Sequence, residues 1–339
     1  MTNPKNILIV RTDKIGDVVL TLPIVNLLKR KYPSCKITFM VREYTKPIVE
    51  GNNLVDEILV YDEKKPFDVT LLELKIKRYD TCLVVHPKFR IALLLFLAKI
   101  KIRIGTGYRW YSFLFNKKIY EHRKYGKNHE LNHNINLLKL LGVNEEVTED
   151  TVAFNLHSNA KSAQNVEKFL NSLNINKEDV LVIIHPGSGG SAVDLPISHF
   201  KELVNTLAQE LGITILLTGS ESEKEICEGL MAEKNTYNLA GKFDLSELIA
   251  LIDKCELLIA NSTGPIHLAA ALNKNVIGFY PKIASCSVTR WGPYTNKRII
   301  FSPNIDCDNC TREQCERLNC MSSIDVQEIV NSAKNILIN

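Results

Sequence analysis

Two loops of small polar residues and glycine have the composition of a phosphate-binding site. One spans residues 185–196, and the other follows the apolar run 257–260 and leads into a helix rich in Ala and Leu. Such a helix start presents free backbone N–H groups, hydroxyls and the positive end of the helix dipole. Alone, each loop also fits a tight turn, but together they predict a bipartite pyrophosphate site. Its residues are Ser188, Gly189, Gly190, Ser262, Thr263, Gly264, Pro265 and His267. His267 lies one helical turn past Thr263, where it is either a buried core histidine or a donor to phosphate.

Asp17 is the candidate proton acceptor. It follows the apolar run 7–10 and Gly16, which permits a close backbone approach and is predicted to contact the nucleotide sugar. A carboxylate at this position is either a helix N-cap or a general base. At the strand ends of one domain, opposite an anion site on another, a base would suit removal of a proton from an acceptor hydroxyl.

Four cysteines near the end of the chain, Cys307, Cys310, Cys315 and Cys320, have the spacing C-x2-C-x4-C-x4-C. Four thiols can bind zinc tetrahedrally, but this spacing lacks the two separated pairs of a zinc knuckle. Structural thiols or a local disulfide are therefore the alternative to zinc or a cluster. In either case the role would be structural.

The charge of the chain is unevenly distributed. Residues 75–127 hold fourteen Lys or Arg but only Asp80 and Glu121 as acids, while the whole 339-residue chain has a net charge of +4. This basic segment includes the apolar run 91–98, which is too short to span a bilayer. It is either a buried helix in a solvated basic surround or a surface that docks on anionic lipid or a phosphorylated acceptor.

Strand-like and helix-like runs alternate through both halves of the chain. Strands are predicted at 7–10, 36–41, 57–60 and 81–85, and helices at 17–31, 44–51, 88–99 and 129–141, the last ending at Gly142. A polar stretch at 143–165 reads as a connection, after which the alternation resumes. The fold class predicted is α/β, with two Rossmann-like domains whose parallel sheets face a cleft. The domains are 1–150 for the acceptor and 166–322 for a nucleotide sugar, with a final helix at 323–339 packing back across them. Neither half has G-x-G-x-x-G after its first strand, which disfavours a nicotinamide or flavin enzyme.

The sequence resembles glycosyltransferase family 9, the heptosyltransferases of the lipopolysaccharide inner core. The resemblance rests on Ile-Gly-Asp-Val-Val-Leu-Thr-Leu-Pro at 15–23, His-Pro-Gly-Ser-Gly-Gly-Ser-Ala at 185–192 and Ser-Thr-Gly-Pro-Ile-His-Leu-Ala-Ala-Ala-Leu at 262–272. It implies a GT-B fold, an inverting mechanism without an obligatory metal, and ADP-heptose as the donor. It also implies a lipid-linked anionic glycan as acceptor, at the inner face of the inner membrane. With no signal peptide at its start, the protein is expected in the cytoplasm, and no nucleic acid partner is expected.

The resemblance also assigns roles to individual residues. Asp17 would deprotonate the acceptor hydroxyl, and the two loops would hold the pyrophosphate. Glu221, with Glu223 as the alternative, would bind the ribose hydroxyls, and the segment containing Gly241 and Phe243 would frame the adenine.

One departure from the family concerns the glycine loop. The family has Lys or Arg there and often an aromatic two places later, whereas this chain has Val193 and Leu195. Lys14, Lys242 and Lys282 are the candidate replacements for the missing cation. The alternatives to heptose transfer are a family member that moves a different sugar to another surface glycan, a GT-B sugar-nucleotide epimerase and a catalytically silent binding protein.

Overall fold

The computed structural model describes residues 3–306 and 310–338, and the chain divides into two compact units. The first unit comprises residues 1–123 and 130–156, and the second comprises 124–129 and 157–339. Within the described residues, no helix combines the length and the apolar character needed to cross a membrane.

The first unit is built on a six-stranded sheet in which every pair of neighbours is parallel. Its strands are β1 (Asn6–Val10), β2 (Lys36–Val41), β3 (Glu57–Val60), β4 (Thr81–Val84), β5 (Ile102–Thr106) and β6 (Lys117–Ile119). Its α-helices are α1 (Ile15–Val19), α2 (Pro23–Lys31), α3 (Lys46–Glu50), α4 (Phe67–Lys77), α5 (Phe89–Leu97) and α6 (Glu130–Asn136). The strand order is β3-β2-β1-β4-β5-β6. The chain turns back at β1, so the loop after β1 lies at a topological switch point, where ligands bind in such sheets.

The second unit repeats this architecture with a second parallel six-stranded sheet. Its strands are β7 (Leu181–His185), β8 (Thr214–Leu217), β9 (Thr236–Asn238), β10 (Leu257–Asn261), β11 (Asn275–Phe279) and β12 (Arg298–Phe301). Its α-helices are α7 (Ala160–Ser172), α8 (Ile197–Glu210), α9 (Lys224–Leu230), α10 (Leu245–Lys254), α11 (Gly264–Ala271), α12 (Val288–Trp291), α13 (Arg312–Arg317) and α14 (Val326–Ile338). The order is β12-β11-β10-β7-β8-β9, and α14 packs against α8 within this unit. The neighbouring strands β7 and β10 carry the two phosphate-loop candidates at their carboxyl ends.

The predicted α/β class is confirmed, because the central strands are continuous apolar runs with both faces buried. Every residue of β7 and of β10 is buried. A strand covered by helices on both faces loses the alternation of polar and apolar residues, which is why these segments read as unbroken apolar runs.

Several boundaries differ from the sequence prediction. The single helix expected at 17–31 is two helices, and Pro23 begins the second because it lacks an N–H and suits a first helical turn. Helix α7 begins inside the stretch that reads as a connection, with Asn159 accepting hydrogen bonds from the backbone of Lys161 and Ser162. The helix expected at 129–141 is α6 followed by a 3-10 turn, and Gly142 closes it in the left-handed conformation, as predicted.

Candidate functional site

A buried polar cluster lies at the carboxyl end of β1 in the first unit. Arg11 is only 2% exposed, and its Nε donates to Asp13 Oδ1 at 2.8 Å. Its Nη2 contacts Asp17, and its Nη1 lies 3.4 Å from Glu130 Oε1. Arg123 forms a second ion pair with Glu130. Two guanidinium groups are thus surrounded by three carboxylates.

The cluster alters the ionisation of Asp13 and His86. Burial raises the pKa of Asp13 to about 6, although the neighbouring Arg11 opposes the shift. His86 Nδ1 lies 3.1 Å from Asp13 Oδ2, and burial together with the charge of Arg11 lowers the pKa of His86 to about 4. His86 is therefore neutral near pH 7, and its contact with Asp13 is a hydrogen bond rather than an ion pair.

Asp17 does not cap a helix, so the N-cap alternative for this residue is wrong. The N-cap of α1 is Lys14, and Asp17 is the third residue of the helix, directly after the buried Gly16. The carboxylate of Asp17 pairs with Arg11 and keeps 15% of its side-chain surface exposed. Asp17 is therefore an oriented carboxylate that solvent can reach, as a general base requires.

The glycine loop after β7 has a backbone that only glycine adopts readily. Gly189 and Gly190 have φ values of +56° and +75°, and among the described residues no atom lies within 4 Å of the position of an added Cβ on either. The need for glycine therefore comes from the left-handed backbone and not from crowding. Ser188, which precedes them, is buried.

Asn261, the last residue of β10, joins this loop to the strand that leads into the second loop. Its Nδ2 donates to the Pro186 carbonyl at 2.5 Å, and its Oδ1 accepts from the Leu195 N–H at 2.9 Å. The amide is fully buried and holds both ends of the glycine loop. Asn261 was not among the predicted site residues, although its amide at the end of the strand that leads into the second loop was a signal for this role.

The second loop opens α11 with unused backbone donors. Thr263 is the N-cap, and its side chain makes no capping hydrogen bond. Because Pro265 has no N–H, Gly264 and Ile266 supply the first-turn donors that the helix itself does not use. Together with the helix dipole, these groups are able to bind an anion next to the buried Ser262.

His267 is a buried, uncharged histidine. Burial, with a smaller effect of His129, lowers the pKa of His267 to about 3. Its Nδ1 is buried and has no hydrogen-bond partner in the part of the chain that the structure describes. A neutral imidazole can donate one hydrogen bond to a phosphate oxygen, but it adds no positive charge to the site.

The two candidate ribose ligands have different environments. Glu223 Oε2 accepts from the backbone N–H of Ser220 at 2.7 Å and from its hydroxyl at 2.8 Å, so its carboxylate is used in a capping box. Glu221 is 73% exposed in its side chain and lies against Gly241, whose φ is +72°. Of the two, Glu221 is the carboxylate open to a ligand. Phe243 packs edge-on against Phe169, with ring centroids 5.1 Å apart.

Comparison with known proteins identifies the family. The model for glycosyltransferase family 9 (heptosyltransferase) matches residues 71–321. The chain belongs to glycosyltransferase family 9. Lipopolysaccharide heptosyltransferase 3 of Escherichia coli is 24% identical, covering 95% of this chain and 96% of the relative. A Haemophilus influenzae protein, named as a glycosyltransferase without a specified sugar, is 28% identical over 88% of this chain and 89% of its own length.

Solved structures show the same fold. A family 9 glycosyltransferase from Veillonella parvula superposes with a TM-score of 0.84 at 22% identity, covering 98% of this chain and 97% of that one. The E. coli ADP-heptose lipopolysaccharide heptosyltransferase II gives a TM-score of 0.80 at 20% identity, with 98% of each chain covered. The predicted GT-B fold is thereby confirmed.

In this family 9 chain, the glycine loop lacks the usual Lys or Arg, and a cation from another part of the chain contacts the loop. Val193 and Leu195 are buried in the core of the second unit. Arg312, on α13, instead reaches the loop and donates to the Gly190 carbonyl at 2.9 Å and to the Ala192 carbonyl at 3.1 Å. Among the sequence candidates for a substitute cation, Lys282 is bonded to the Ile305 carbonyl at 2.7 Å. Arg312 lies more than a hundred residues from the loop in sequence, so spacing gave no signal for it.

The C-terminal cysteines are only partly within the described residues. Cys307 lies outside them, Cys310 is half-buried, and Cys315 and Cys320 are buried in the core of the second unit. In the part of the chain that the structure describes, no group of three or more His, Cys, Asp or Glu side chains is placed to hold a metal ion. Cys315 and Cys320 act there as core side chains. Outside this segment, Cys35, Cys82, Cys227 and Cys255 are buried free thiols.

Proposed function

We propose that this protein is an inverting glycosyltransferase that moves a heptose from ADP-heptose to the inner core of lipopolysaccharide. The observation that carries the proposal is the position of Asp17, a partly exposed carboxylate that caps no helix and is held by Arg11 at the carboxyl end of β1. Several relatives are named lipopolysaccharide heptosyltransferases, which supports the choice of sugar and acceptor.

In the proposed reaction, Asp17 accepts the proton of the acceptor hydroxyl as its oxygen attacks the anomeric carbon of the donor. The bond from that carbon to the diphosphate breaks on the opposite face, which inverts the configuration. The negative charge that grows on the leaving diphosphate is stabilised by the N–H groups of residues 188–190 and of the first turn of α11. In this scheme, these backbone dipoles perform the electrostatic task for which other transferases use a metal ion.

Donor recognition in this proposal uses the remaining predicted residues of the second unit. Glu221 binds the ribose hydroxyls, and the backbone near Gly241 and Phe243 frames the adenine. A related E. coli heptosyltransferase is known with bound ADP, which supports an adenine nucleotide as the donor carrier. We further propose that the protein works in the cytoplasm, at the inner membrane surface that carries its lipid-linked acceptor.

A second candidate is transfer of a different sugar to another surface glycan by the same mechanism. The observation that favours it is Val193, which places a core side chain where the family usually has a cation. Losing a charged contact to a bound phosphate or sugar changes binding by about 1.5–3 kcal/mol, enough to alter donor choice.

A donor screen distinguishes these functions. Purified protein is incubated with ADP-heptose, with other ADP- and UDP-sugars, and with a heptose-free lipid A–Kdo acceptor, and products are identified by mass. Heptose added only from ADP-heptose supports the main proposal. Transfer of another sugar supports the second candidate, and isomerised free donor without transfer would indicate an epimerase.

A further inference from the structure

Helices α4 and α5 of the first unit carry apolar side chains on their exposed faces as well as on their buried ones. The two helices pack against each other, and the ring of Trp110 lies 4.8 Å from that of Phe89 at the start of α5. Trp110 is 74% exposed and Phe113 is 67% exposed. We refer to this set as the apolar surface; its exposed residues are Val69, Leu72, Ile76, Phe89, Phe96, Leu97, Trp110 and Phe113.

This exposure is unusual for a helix in a water-soluble sheet protein. A surface helix normally turns a polar face to solvent, and a helix that is apolar all round is buried in a core or in a membrane. Arg90 is the one polar residue of α5, and its guanidinium donates to the carbonyls of Glu63 at 2.8 Å and Lys65 at 2.6 Å. The outer face of α5 is therefore left to Phe89, Phe96 and Leu97. Grouped exposed apolar residues of this kind mark interaction sites, whereas scattered ones do not.

The charges around the apolar surface have one sign. Residues 81–120 contain eight Lys or Arg and no Asp or Glu. Lys99, Lys101 and Arg109 are exposed, and within the described residues they form no ion pair. By contrast, Lys88 pairs with Glu63 at 2.5 Å and Lys117 donates to the Leu140 carbonyl at 2.7 Å. Three cations are thus free to meet an anionic partner.

Arg103 connects the aromatic and basic parts of this surface. Its guanidinium lies 5.2 Å from the centre of the Phe96 ring, and its Nε donates to the Leu114 carbonyl at 2.8 Å. The 3-10 turn that contains Phe113 is therefore fixed to the end of α5. The apolar surface is held in one shape by the protein's own contacts, so binding would not have to order it.

We propose that the apolar surface, with Lys99, Lys101 and Arg109, docks on an anionic phospholipid bilayer and places Trp110 and Phe113 in its interfacial layer. Tryptophan prefers the headgroup region, and clustered cations are attracted to anionic lipid. Because Phe, Leu, Ile and Val offer no hydrogen bonds, they suit lipid better than a sugar or a polar peptide. The proposal rests on the proposed function for its biological reason, a lipid-linked acceptor, but its physical basis is independent of it.

The position of this surface would serve the acceptor. Tyr111, next to Trp110, donates from its hydroxyl to the Pro87 carbonyl at 2.8 Å, and the neighbouring His86 bonds to Asp13. Trp110 therefore lies on the same sheet edge as the cluster that contains Asp17. Docking through Trp110 would hold the bilayer beside Asp17, which in the proposed reaction accepts the proton of the acceptor hydroxyl.

Fluorescence can test the docking directly, because the chain has only two tryptophans, Trp110 and Trp291. In a Trp291→Phe variant, Trp110 is the single reporter. Vesicles of phosphatidylethanolamine and phosphatidylglycerol should shift its emission to the blue, and lipids brominated near the headgroup should quench it. Phosphatidylcholine vesicles should do neither. An unchanged spectrum with the anionic vesicles would overturn the proposal.

Vesicle sedimentation supplies the second test. The Trp110→Ser/Phe113→Ser variant should lose about tenfold or more in partitioning to anionic vesicles. The matched control is Ile226→Ser/Leu318→Ser, which removes two exposed apolar residues of the second unit and should bind as the wild type does. Replacing Lys99, Lys101 and Arg109 with Ala should weaken binding and reduce its salt dependence. An equal loss of vesicle binding in the control variant would contradict the assignment. So would a wild-type protein that is a dimer in solution while the Trp110→Ser/Phe113→Ser variant is a monomer, because the surface would then be a dimer interface.

Transfer to a soluble, deacylated acceptor separates this proposal from the proposed function. The Trp110→Ser/Phe113→Ser variant should transfer heptose to that acceptor at the wild-type rate while failing to bind vesicles. If the wild type transfers nothing but binds vesicles through Trp110, the proposed function fails and the docking surface stands. If the wild type transfers heptose to the soluble acceptor but does not bind vesicles, the docking surface fails and the proposed function stands.

Discussion

The Arg11 cluster shows how one buried cation can define the position of a partly exposed carboxylate. Arg11 makes its contacts to Asp13, Asp17 and Glu130 with three different nitrogens, which the fixed fork of a guanidinium allows and an ammonium does not. Removing one member of such a buried cluster leaves uncompensated charge and costs about 3–5 kcal/mol. The orientation of Asp17 is thus tied to the stability of the first unit.

Replacing Asp17 with Asn should abolish most transfer while leaving donor binding within a few-fold. General base catalysis contributes about 10²- to 10⁴-fold, so the turnover number should fall by that factor. Turnover is measured by product mass, and ADP affinity by calorimetric titration. The control is Asp62→Asn, an exposed carboxylate of the same unit, which should behave as the wild type does. Near wild-type turnover in the Asp17 variant would rule out its role as the base.

Asp13 should make stability depend on pH in a defined direction. Because its carboxyl pKa is about 6 in the folded protein and 3.8 for the free group, the folded state holds the proton more tightly. The contribution of Asp13 to stability is therefore greatest at low pH and is lost as the pH rises from about 4 to about 6. Relative to Asp13→Asn, the unfolding free energy of the wild type should fall by at most about 2–3 kcal/mol over this range. Urea unfolding of both proteins at several pH values measures the difference, and a constant difference would contradict the raised pKa of Asp13.

At this scale the sequence indicated Asp17 as a candidate base but did not indicate the contacts that hold it. Asp17 was identifiable because its local motif, Ile-Gly-Asp after a strand, is contiguous. The partners that hold it were not, because Glu130 lies 119 residues from Arg11 and reaches it only through the fold. The N-cap alternative was wrong because Lys14 is the N-cap of α1, so that Asp17 falls within the helix.

Among the elements, the two candidate phosphate loops are coupled through Asn261 at the end of β10. Its amide satisfies one buried carbonyl and one buried N–H of the glycine loop, and both would be left without a partner in Asn261→Ala. We expect that variant to lose about 2–4 kcal/mol of stability and to bind ADP more weakly. Chemical unfolding and titration measure the two effects. The control is Asn275→Ala, which removes one exposed hydrogen bond to the Glu256 carbonyl and should change stability and ADP binding little. Equal effects in the two variants would contradict the role of Asn261 in holding the glycine loop.

Arg312 should affect donor binding more than folding. It is about half exposed and bonded to the Gly190 and Ala192 carbonyls, so Arg312→Ala should raise the dissociation constant of ADP several-fold with a small change in melting temperature. Lys at this position can reach only one carbonyl and should restore part of the affinity. Arg317→Ala, on the same helix, is the control. An unchanged ADP affinity in Arg312→Ala would exclude Arg312 as a support for the loop.

Element boundaries were predictable where the sequence carries a strong local signal and not elsewhere. The central strands and the Gly142 cap were clear, but the edge strands β6 and β12, Lys-Lys-Ile and Arg-Ile-Ile-Phe, are short and partly polar. Edge strands bury only part of their surface and therefore need no continuous apolar run. Helix α7 was missed because its polar face dominates its composition.

For the molecule as a whole, each of the two units has its own six-stranded sheet, so a probe that lies in one unit follows the unfolding of that unit. Trp110 reports on the first unit and Trp291 on the second. We expect ADP to raise the melting temperature seen by Trp291 in a Trp110→Phe variant. At about 100 times the dissociation constant, the added stability is about 2.7 kcal/mol. The melting temperature reported by Trp110 in the Trp291→Phe variant should rise much less, because the predicted nucleotide-binding residues belong to the second unit. An equal rise in both variants would contradict that assignment.

The repeated βα alternation made the α/β class with two Rossmann-like domains predictable from the chain alone, because buried parallel strands leave a strong signal. The GT-B fold was predicted from the resemblance to glycosyltransferase family 9. The division between the units was less accessible. It falls at residues 156 and 157, with residues 124–129 assigned to the second unit. The assignment of residues 124–129 to the second unit depends on tertiary contacts, which composition does not reveal.

The burial of the cysteines gives the protein a built-in set of probes for local opening. Burial raises the pKa of Cys82 and Cys255 to about 12 and that of Cys227 to about 11, so these thiols are neither exposed nor ionised in the folded state. An alkylating reagent can modify them only when the surrounding core opens. The rate of modification at each cysteine, followed by mass spectrometry of peptides, would therefore report the opening free energy of each sheet without any added label.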